Sequence, residues 1–240
     1  KQTHFCENKQ CCYQIGDLEN HYYARNGIIM VMSKAHPPQD ILHLPVLLDA
    51  TLDVLQPARG ESYLDLTAGY GGHATRFLEA TQSPDRATLV DRDDFAIGKL
   101  QPLAEQGARL LHTDFVTAAR QLVEAHEQFD IVLIDLGVSS PQLDMGERGF
   151  SFTKNGPLDM RMDRRQEVTA EQLVNTLPAA KLQDIIMRYG EEPRAAAARI
   201  AEAIVQGRPF SDTETLAECI KSTYRGPWRK THPATRTFQA

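Results

Sequence analysis

The stretch Asp65-Leu66-Thr67-Ala68-Gly69-Tyr70-Gly71-Gly72-His73 sets a carboxylate just ahead of a glycine-rich loop. Gly69, Gly71 and Gly72 let the backbone turn tightly and let a ligand approach the main chain ahead of a helix N-terminus. Residues 69–74 (GYGGHA) also fit the dinucleotide fingerprint G-x-G-x-x-G/A, which is a weak match on its own. Asp91 follows at the distance where an acid grips the ribose hydroxyls of NAD or of S-adenosylmethionine. The discriminating residue is Asp65. A negative charge ahead of the loop repels a pyrophosphate but suits the ammonium of a methionine moiety. The loop is therefore read as an S-adenosylmethionine site, with NAD as the runner-up.

The elements that must position these residues follow from the hydrophobic pattern. Pro45–Leu52 reads as an amphipathic helix, and short apolar runs follow at Ser62–Leu66, Ala87–Val90, Ala108–Leu111 and Phe129–Leu136. The last run, FDIVLIDL, is continuous enough to be buried on both faces, as in the centre of a parallel sheet. Helical segments such as His73–Ala80 and Phe95–Gln106 lie between the strands. This alternation implies a doubly wound, Rossmann-like α/β sheet that binds ligands at the carboxyl ends of its strands. Asp65, Asp91, Asp114 and Asp135 close the four runs. One such aspartate is ordinarily a helix cap, but four in corresponding positions favour a ligand site.

From residue 145 the pattern changes. Met145–Arg165 is rich in Arg, Gly and Met without a regular period. Capping boxes at Thr169–Gln172 and Thr215–Glu218, and helices opened by Pro178 and Pro193 and closed by Gly190 and Gly207, then predict four helices in a row. Consecutive helices do not continue a doubly wound sheet. They predict an all-helical insertion after the fourth strand, with the sheet resuming beyond Ala240.

The 240 residues are 42% hydrophobic and 24% charged, an ordinary globular composition with no run long enough to span a bilayer. A net charge of −6 excludes nucleic-acid binding through bulk electrostatics and leaves it to a local patch. Lys221, Arg225, Arg229, Lys230 and Arg236 offer one, in a stretch (219–240) without a carboxylate. The 4 cysteines include no C-x-x-C pair, which argues against zinc and thioredoxin-like chemistry, so no metal is expected. Reduced thiols and the lack of a secretory leader make the cytoplasm the expected compartment.

Residues 1–29 show neither helical nor strand periodicity, and the first methionines are Met30 and Met32. The natural start is expected there, with the preceding residues a non-native or disordered extension. The chain stops within a helical pattern at Thr237–Ala240, so a fragment is expected. The organisation expected is an extension over 1–41, a core over 42–144, a helical insertion over 145–230 that recognises RNA, and a truncated return to the core over 231–240.

GGH at 71–73, DRD at 91–93, DLGVSSPQLD at 135–144, RGFSF at 148–152, PLDMRMD at 157–163, YGEE at 189–192 and HPATRTFQA at 232–240 together resemble the small-subunit ribosomal RNA methyltransferase H family of the MraW type. The resemblance runs from about Leu42 to Ala240. It implies a class I S-adenosylmethionine-dependent methyltransferase core interrupted by a helical domain. It also implies methyl transfer to N4 of a cytidine in the decoding region of small-subunit rRNA. By position in those motifs, it assigns cofactor contacts to Gly71, Gly72, His73, Asp91, Phe115, Asp135 and Gln142. Complete members carry further C-terminal strands, missing here, and have no counterpart to residues 1–29. The partner implied is small-subunit rRNA, within a small ribosomal subunit, with no membrane and with homodimerisation left open.

The chemistry can also be argued from the nucleophile. The exocyclic amine of cytosine is delocalised into its ring, so an enzyme must orient and rehybridise it with hydrogen-bond acceptors. Asp135 with Ser139 or Ser140 is the candidate acceptor set, and capping of a turn is the alternative role for the serines. Phe150 and Phe152 have the chemistry to stack on an extruded base, with plain packing expected for at least one of them. Arg148, Arg161, Arg164 and Arg165 are interleaved with Glu147, Asp159 and Asp163, which predicts local ion pairs for some and RNA phosphate contacts for the others. His73, in a first helical turn, is assigned a positional role. A non-catalytic RNA-binding fragment is the remaining alternative.

Overall fold

The computed structural model describes residues 10–11, 22–25, 28–32, 45, 47–224 and 231–240. The chain divides into two compact units between Gly137 and Val138. In the first, α1 (Leu48–Leu55) leads into the alternation β4 (Tyr63–Asp65), α2 (Gly72–Thr81), β5 (Ala87–Asp91), α3 (Asp94–Glu105), β6 (Arg109–His112), α4 (Phe115–Glu124) and β7 (Ile131–Leu136). Among the described residues three strands precede α1: β1 (Gln10–Cys11), β2 (Tyr22–Arg25) and β3 (Ile28–Met32).

The sheet runs in the order β1-β2-β3-β7-β4-β5-β6. From β4 the chain steps outward to β5 and β6, then returns to lay β7 on the other side of β4, and all these neighbours are parallel. The direction of winding reverses between β4 and β7. In a parallel sheet that reversal opens a crevice at the carboxyl ends of the two strands.

The continuous apolar run of β7 is explained by its two covered faces. Ile131 and Leu133 join Tyr63, Phe77, Leu89 and Leu100 in one core, while Val132 and Ile134 pack against a second with Leu64, Val90 and Leu122. Alternate residues of a strand point to opposite faces, so one run feeds both cores.

The N-terminal expectation is corrected in part. Residues 22–25 and 28–32 form an antiparallel pair, and β3 lies parallel to β7, with Val31 opposite Asp135. The unpaired edge of β7 offers a row of backbone donors and acceptors, and the apolar run IIMVM has the β-branched character that fits it. Gln10–Cys11 pairs antiparallel with residues 24–25, and the other residues of 1–29 lie outside the described residues.

The second unit holds α5 (Ser140–Asp144), α6 (Ala170–Thr176), α7 (Ala179–Arg188), α8 (Arg194–Gly207), α9 (Thr213–Ser222) and α10 (Thr235–Gln239). The four consecutive helices are there, and Thr169 closes the expected capping box with Gln172. The second box is not made: Asp212 caps α9 by accepting from the Thr215 backbone N–H, so the helix begins earlier. Leu182, Ile186, Ile200, Ile204, Leu216 and Ile220 form the core of this unit. Residues 231–240 pack with these helices. Ala234 is buried among them, and Phe238 meets the Phe152 ring edge-on at 4.9 Å.

Leu133 is fully buried between helices and sheet. Leu133→Ala is expected to destabilise the protein by about 2–5 kcal/mol in urea unfolding. Val123→Ala, at a site 71% exposed on α4, is expected to change it by less than about 0.5 kcal/mol.

Candidate functional site

Three carboxylates meet where the sheet reverses. Asp65 ends β4, Asp91 ends β5 and Asp135 is the penultimate residue of β7. Each has defined partners. Asp65 Oδ2 accepts from the Tyr63 hydroxyl at 2.7 Å, and Oδ1 accepts from the Thr67 backbone N–H at 3.1 Å. Asp91 Oδ2 accepts from the backbone N–H of Gly69 in the glycine loop, and Oδ1 from that of Asp93, both at 2.8 Å. The Asp135 backbone N–H donates to Thr67 Oγ1 at 2.7 Å, tying β7 to the loop after β4. Among the described residues no lysine or arginine pairs with any of the three. His73 Nε2, in the first turn of α2, lies 4.0 Å from Asp135 Oδ2.

Burial without a cation sets the electrostatics. Asp65 is 1% exposed, and its pKa is pushed up to about 7 by desolvation, with Asp135 and Asp91 adding to the rise and the Tyr63 and Thr67 hydrogen bonds opposing it. Desolvation also raises Asp91 and Asp135. A cluster of carboxylates held in this condition favours a cation and disfavours a phosphate.

The loop beside it is built for close approach. Gly71 caps α2 with φ +83°, and a Cβ there would stand 3.1 Å from Leu100 Cδ2. A side chain would therefore meet both backbone strain and the packed face of α3. A Cβ on Gly72 would collide with the Pro45 ring, so glycine is required there by packing as well, and the first-turn N–H groups of α2 are without helical acceptors.

Asp114 departs from the pattern of the other three. Its carboxylate accepts from the Val116 and Thr117 backbone N–H groups at 3.0 Å and from the Thr117 hydroxyl at 2.6 Å, so it caps α4. Phe115, just after it, is 39% exposed at the start of that helix.

In the second unit, the buried Gln142 side chain accepts from the Ser139 backbone N–H at 3.0 Å and shapes the turn into α5. The Ser139 hydroxyl is buried with no hydrogen-bond partner. Ser140 opens α5, and its side chain lies outside the described residues.

Arg148 corrects the expectation of a phosphate contact. It is 1% exposed, donates to the Arg161 and Met162 carbonyls, and stacks its guanidinium on Phe150 at 5.7 Å. Arg161 makes a two-pronged pair with Asp159, and Arg165 with Asp163. Arg164 lies exposed between them. Phe152 is a packing residue within the helical unit, against His232 and Phe238. Arg225, Arg229 and Lys230 lie outside the described residues. Tyr63 was not singled out by sequence. The signal was the Y-x-D spacing, which puts Tyr63 and Asp65 on the same face of a strand.

The strand order and the acids at the strand ends define a Rossmann-like α/β fold of the methyltransferase kind. The chain belongs to the MraW methylase family, whose family model matches residues 40–240. It is 48% identical over 212 residues to the ribosomal RNA small subunit methyltransferase H of Nitratidesulfovibrio vulgaris (strain DSM 19637 / Miyazaki F), a match covering 83% of this chain and 58% of that protein. It is 45% identical to the protein of that name from Synechocystis sp. (strain ATCC 27184 / PCC 6803 / Kazusa), over 83% of this chain and 67% of the relative. With the one from Geobacter sp. (strain M21) the figure is 44%, over 84% and 67%. The chain thus spans 58% of the length of the first of these relatives.

The raised Asp65 pKa has a consequence for stability. A carboxyl whose folded pKa lies above its unfolded value stabilises the fold while protonated, and that contribution is lost as pH rises through the folded value. In ligand-free protein the melting temperature of the wild type, relative to Asp65→Asn, is therefore expected to fall from about pH 4 to pH 7 and to level off above that, where Asp65 is ionised in the folded state as well. Parallel melting curves across that range would contradict the assignment.

Proposed function

We propose that the protein is an S-adenosylmethionine-dependent methyltransferase acting on N4 of a cytidine in the decoding region of small-subunit rRNA. The observation that carries the cofactor assignment is the set of one buried and two half-buried carboxylates at the strand ends, raised by desolvation and paired with no lysine or arginine among the described residues. The amino-acid tail and sulfonium of S-adenosylmethionine bring positive charge to such a site, whereas NAD brings a pyrophosphate. The family and the names of its relatives support rRNA as substrate, and the cytidine N4 position rests on the motif resemblance.

In this reading Asp65 receives the ammonium of the cofactor and Asp91, steadied by the Gly69 and Asp93 backbone N–H groups, receives the ribose hydroxyls. Gly71, Gly72 and His73 give backbone donors at the α2 N-terminus, Phe115 covers the adenine, and Gln142 holds the turn that carries Ser139. Bound S-adenosylmethionine supplies an electrophilic methyl group on a sulfonium. The chain's part is to orient the amine and take its proton. Asp135 accepts a hydrogen bond from the exocyclic N–H, and its burial-raised basicity lets a carboxylate oxygen take the proton the amine loses on methylation. Ser139, four residues on in the sequence, has a hydroxyl oxygen with no hydrogen-bond partner among the described residues. A buried hydroxyl without a partner costs about 1–3 kcal/mol, an expense consistent with a substrate contact. Arg161, Arg164 and Arg165 are the arginines proposed for contact with rRNA phosphates, within a small ribosomal subunit and hence in the cytoplasm.

The test is transfer of a labelled methyl group to small-subunit rRNA, followed by digestion and identification of the modified nucleoside. Label is expected in N4-methylcytidine. At saturating cofactor, Asp135→Asn is expected to lower the rate by about 100-fold or more, and Ser139→Ala by about tenfold, the worth of one hydrogen bond. Salt-sensitive RNA binding without methyl transfer would favour the non-catalytic alternative. Label in another nucleoside would overturn the cytidine assignment.

A further inference from the structure

Tyr63 is a fully buried tyrosine whose hydroxyl points at the one carboxylate of the cluster that is itself almost fully buried. Its ring is fixed by parallel stacking on Phe77, with centroids 4.7 Å apart and planes 2° from parallel. The ring therefore has no freedom to swing the hydroxyl away. The phenol pKa is raised well above its ordinary value by burial and by Asp65, so the hydroxyl keeps its proton and remains a donor. Asp65 is held from two sides, by this O–H at one oxygen and the Thr67 N–H at the other. The charged groups around it are Asp91 on β5 and Asp135 on β7, with His73 of α2 next to Asp135 and Asp93 next to Asp91. All the carboxylates oppose ionisation of Asp65, and the Tyr63 and Thr67 hydrogen bonds favour it.

We infer that Tyr63 is a positioning residue for the cofactor: its hydroxyl fixes Asp65 as an ionised, oriented acceptor for a ligand ammonium group. This rests on the cofactor assignment above and extends it to a residue that touches no ligand. The consequence is selectivity by charge. Ligands carrying an amino-acid tail depend on the Tyr63–Asp65 pair, and ligands with the same nucleoside but no tail do not.

The experiment is calorimetric titration of the full chain and of Tyr63→Phe, which retains the ring that stacks on Phe77. Two probes are used, S-adenosylmethionine and the tail-less, uncharged 5′-methylthioadenosine, between pH 5.5 and 7.5. For the wild type, affinity for S-adenosylmethionine is expected to rise with pH across this range as Asp65 ionises, while affinity for methylthioadenosine stays flat. Without the hydroxyl the Asp65 pKa rises further, so Tyr63→Phe is expected to bind S-adenosylmethionine about tenfold more weakly at pH 7, the scale of one charge-assisted hydrogen bond. Its affinity profile shifts to higher pH, and methylthioadenosine binding is unchanged. Asp65→Asn, which removes the titrating group, is expected to abolish the pH dependence. Equal weakening for both probes would make Tyr63 a purely structural residue and overturn the inference. An unshifted pH profile in Tyr63→Phe would overturn it as well. If the folded wild type binds neither probe, the cofactor assignment fails and takes the inference with it.

Discussion

Bringing three carboxylates to the carboxyl ends of adjacent parallel strands is electrostatically unfavourable, and much of the first unit serves to make it tolerable. Asp65, Asp91 and Asp135 lie on β4, β5 and β7, next to one another in the sheet. Parallel pairing leaves no choice about which ends converge, because every strand finishes on the same side. The fold offsets the repulsion with hydrogen bonds: Tyr63 and Thr67 on Asp65, and Gly69 and Asp93 on Asp91. What remains uncompensated is the demand for positive charge. A site that lowers stability at neutral pH through an ionising buried acid is a trade of stability for ligand affinity.

The second unit solves a different problem, that of giving an irregular segment one conformation. Residues 146–163 lack a periodic hydrophobic pattern, yet Leu158 is fully buried in the helical core and Arg148 gathers the carbonyls of Arg161 and Met162. Gly149 takes φ +74°, and any Cβ there would collide with the Pro157 carbonyl. The Asp159–Arg161 pair then fixes the turn in which Arg164 projects outward. Buried arginine, bare glycine and anchored leucine do for this loop what backbone ladders do for a strand.

How much of this was legible in the sequence depended on whether the signal was local. The β7 run announced its two covered faces because alternating residues feed two cores, and the Thr169 box announced its helix because a cap needs only neighbours. Asp91 and Asp114 looked alike, each closing an apolar run. What separates them is whether the carboxylate turns to cap its own helix or stays at the crevice, and that depends on Thr117 and on the neighbouring strand. Arg148 read as an ion-pair or phosphate-contact residue because the neighbouring sequence does not show that the Arg161 and Met162 carbonyls surround it. The pairing of β3 with β7 was invisible for the same reason: it joins residues about a hundred positions apart. Tyr63 was within reach of pattern reasoning, since residues two apart on a strand share a face, but its role needs the depth of burial to be known.

In the proposed function the crevice between β4 and β7 takes a positively charged nucleoside cofactor. The deciding measurement is calorimetric titration at pH 7 with S-adenosylmethionine and with NAD, each in two buffers of different ionisation enthalpy. S-adenosylmethionine is expected to bind and NAD not to. Binding should release roughly half a proton per site, as an Asp65 that titrates near 7 is driven to its ionised form. Binding of NAD in place of S-adenosylmethionine, or uptake of a proton in place of its release, would contradict the account.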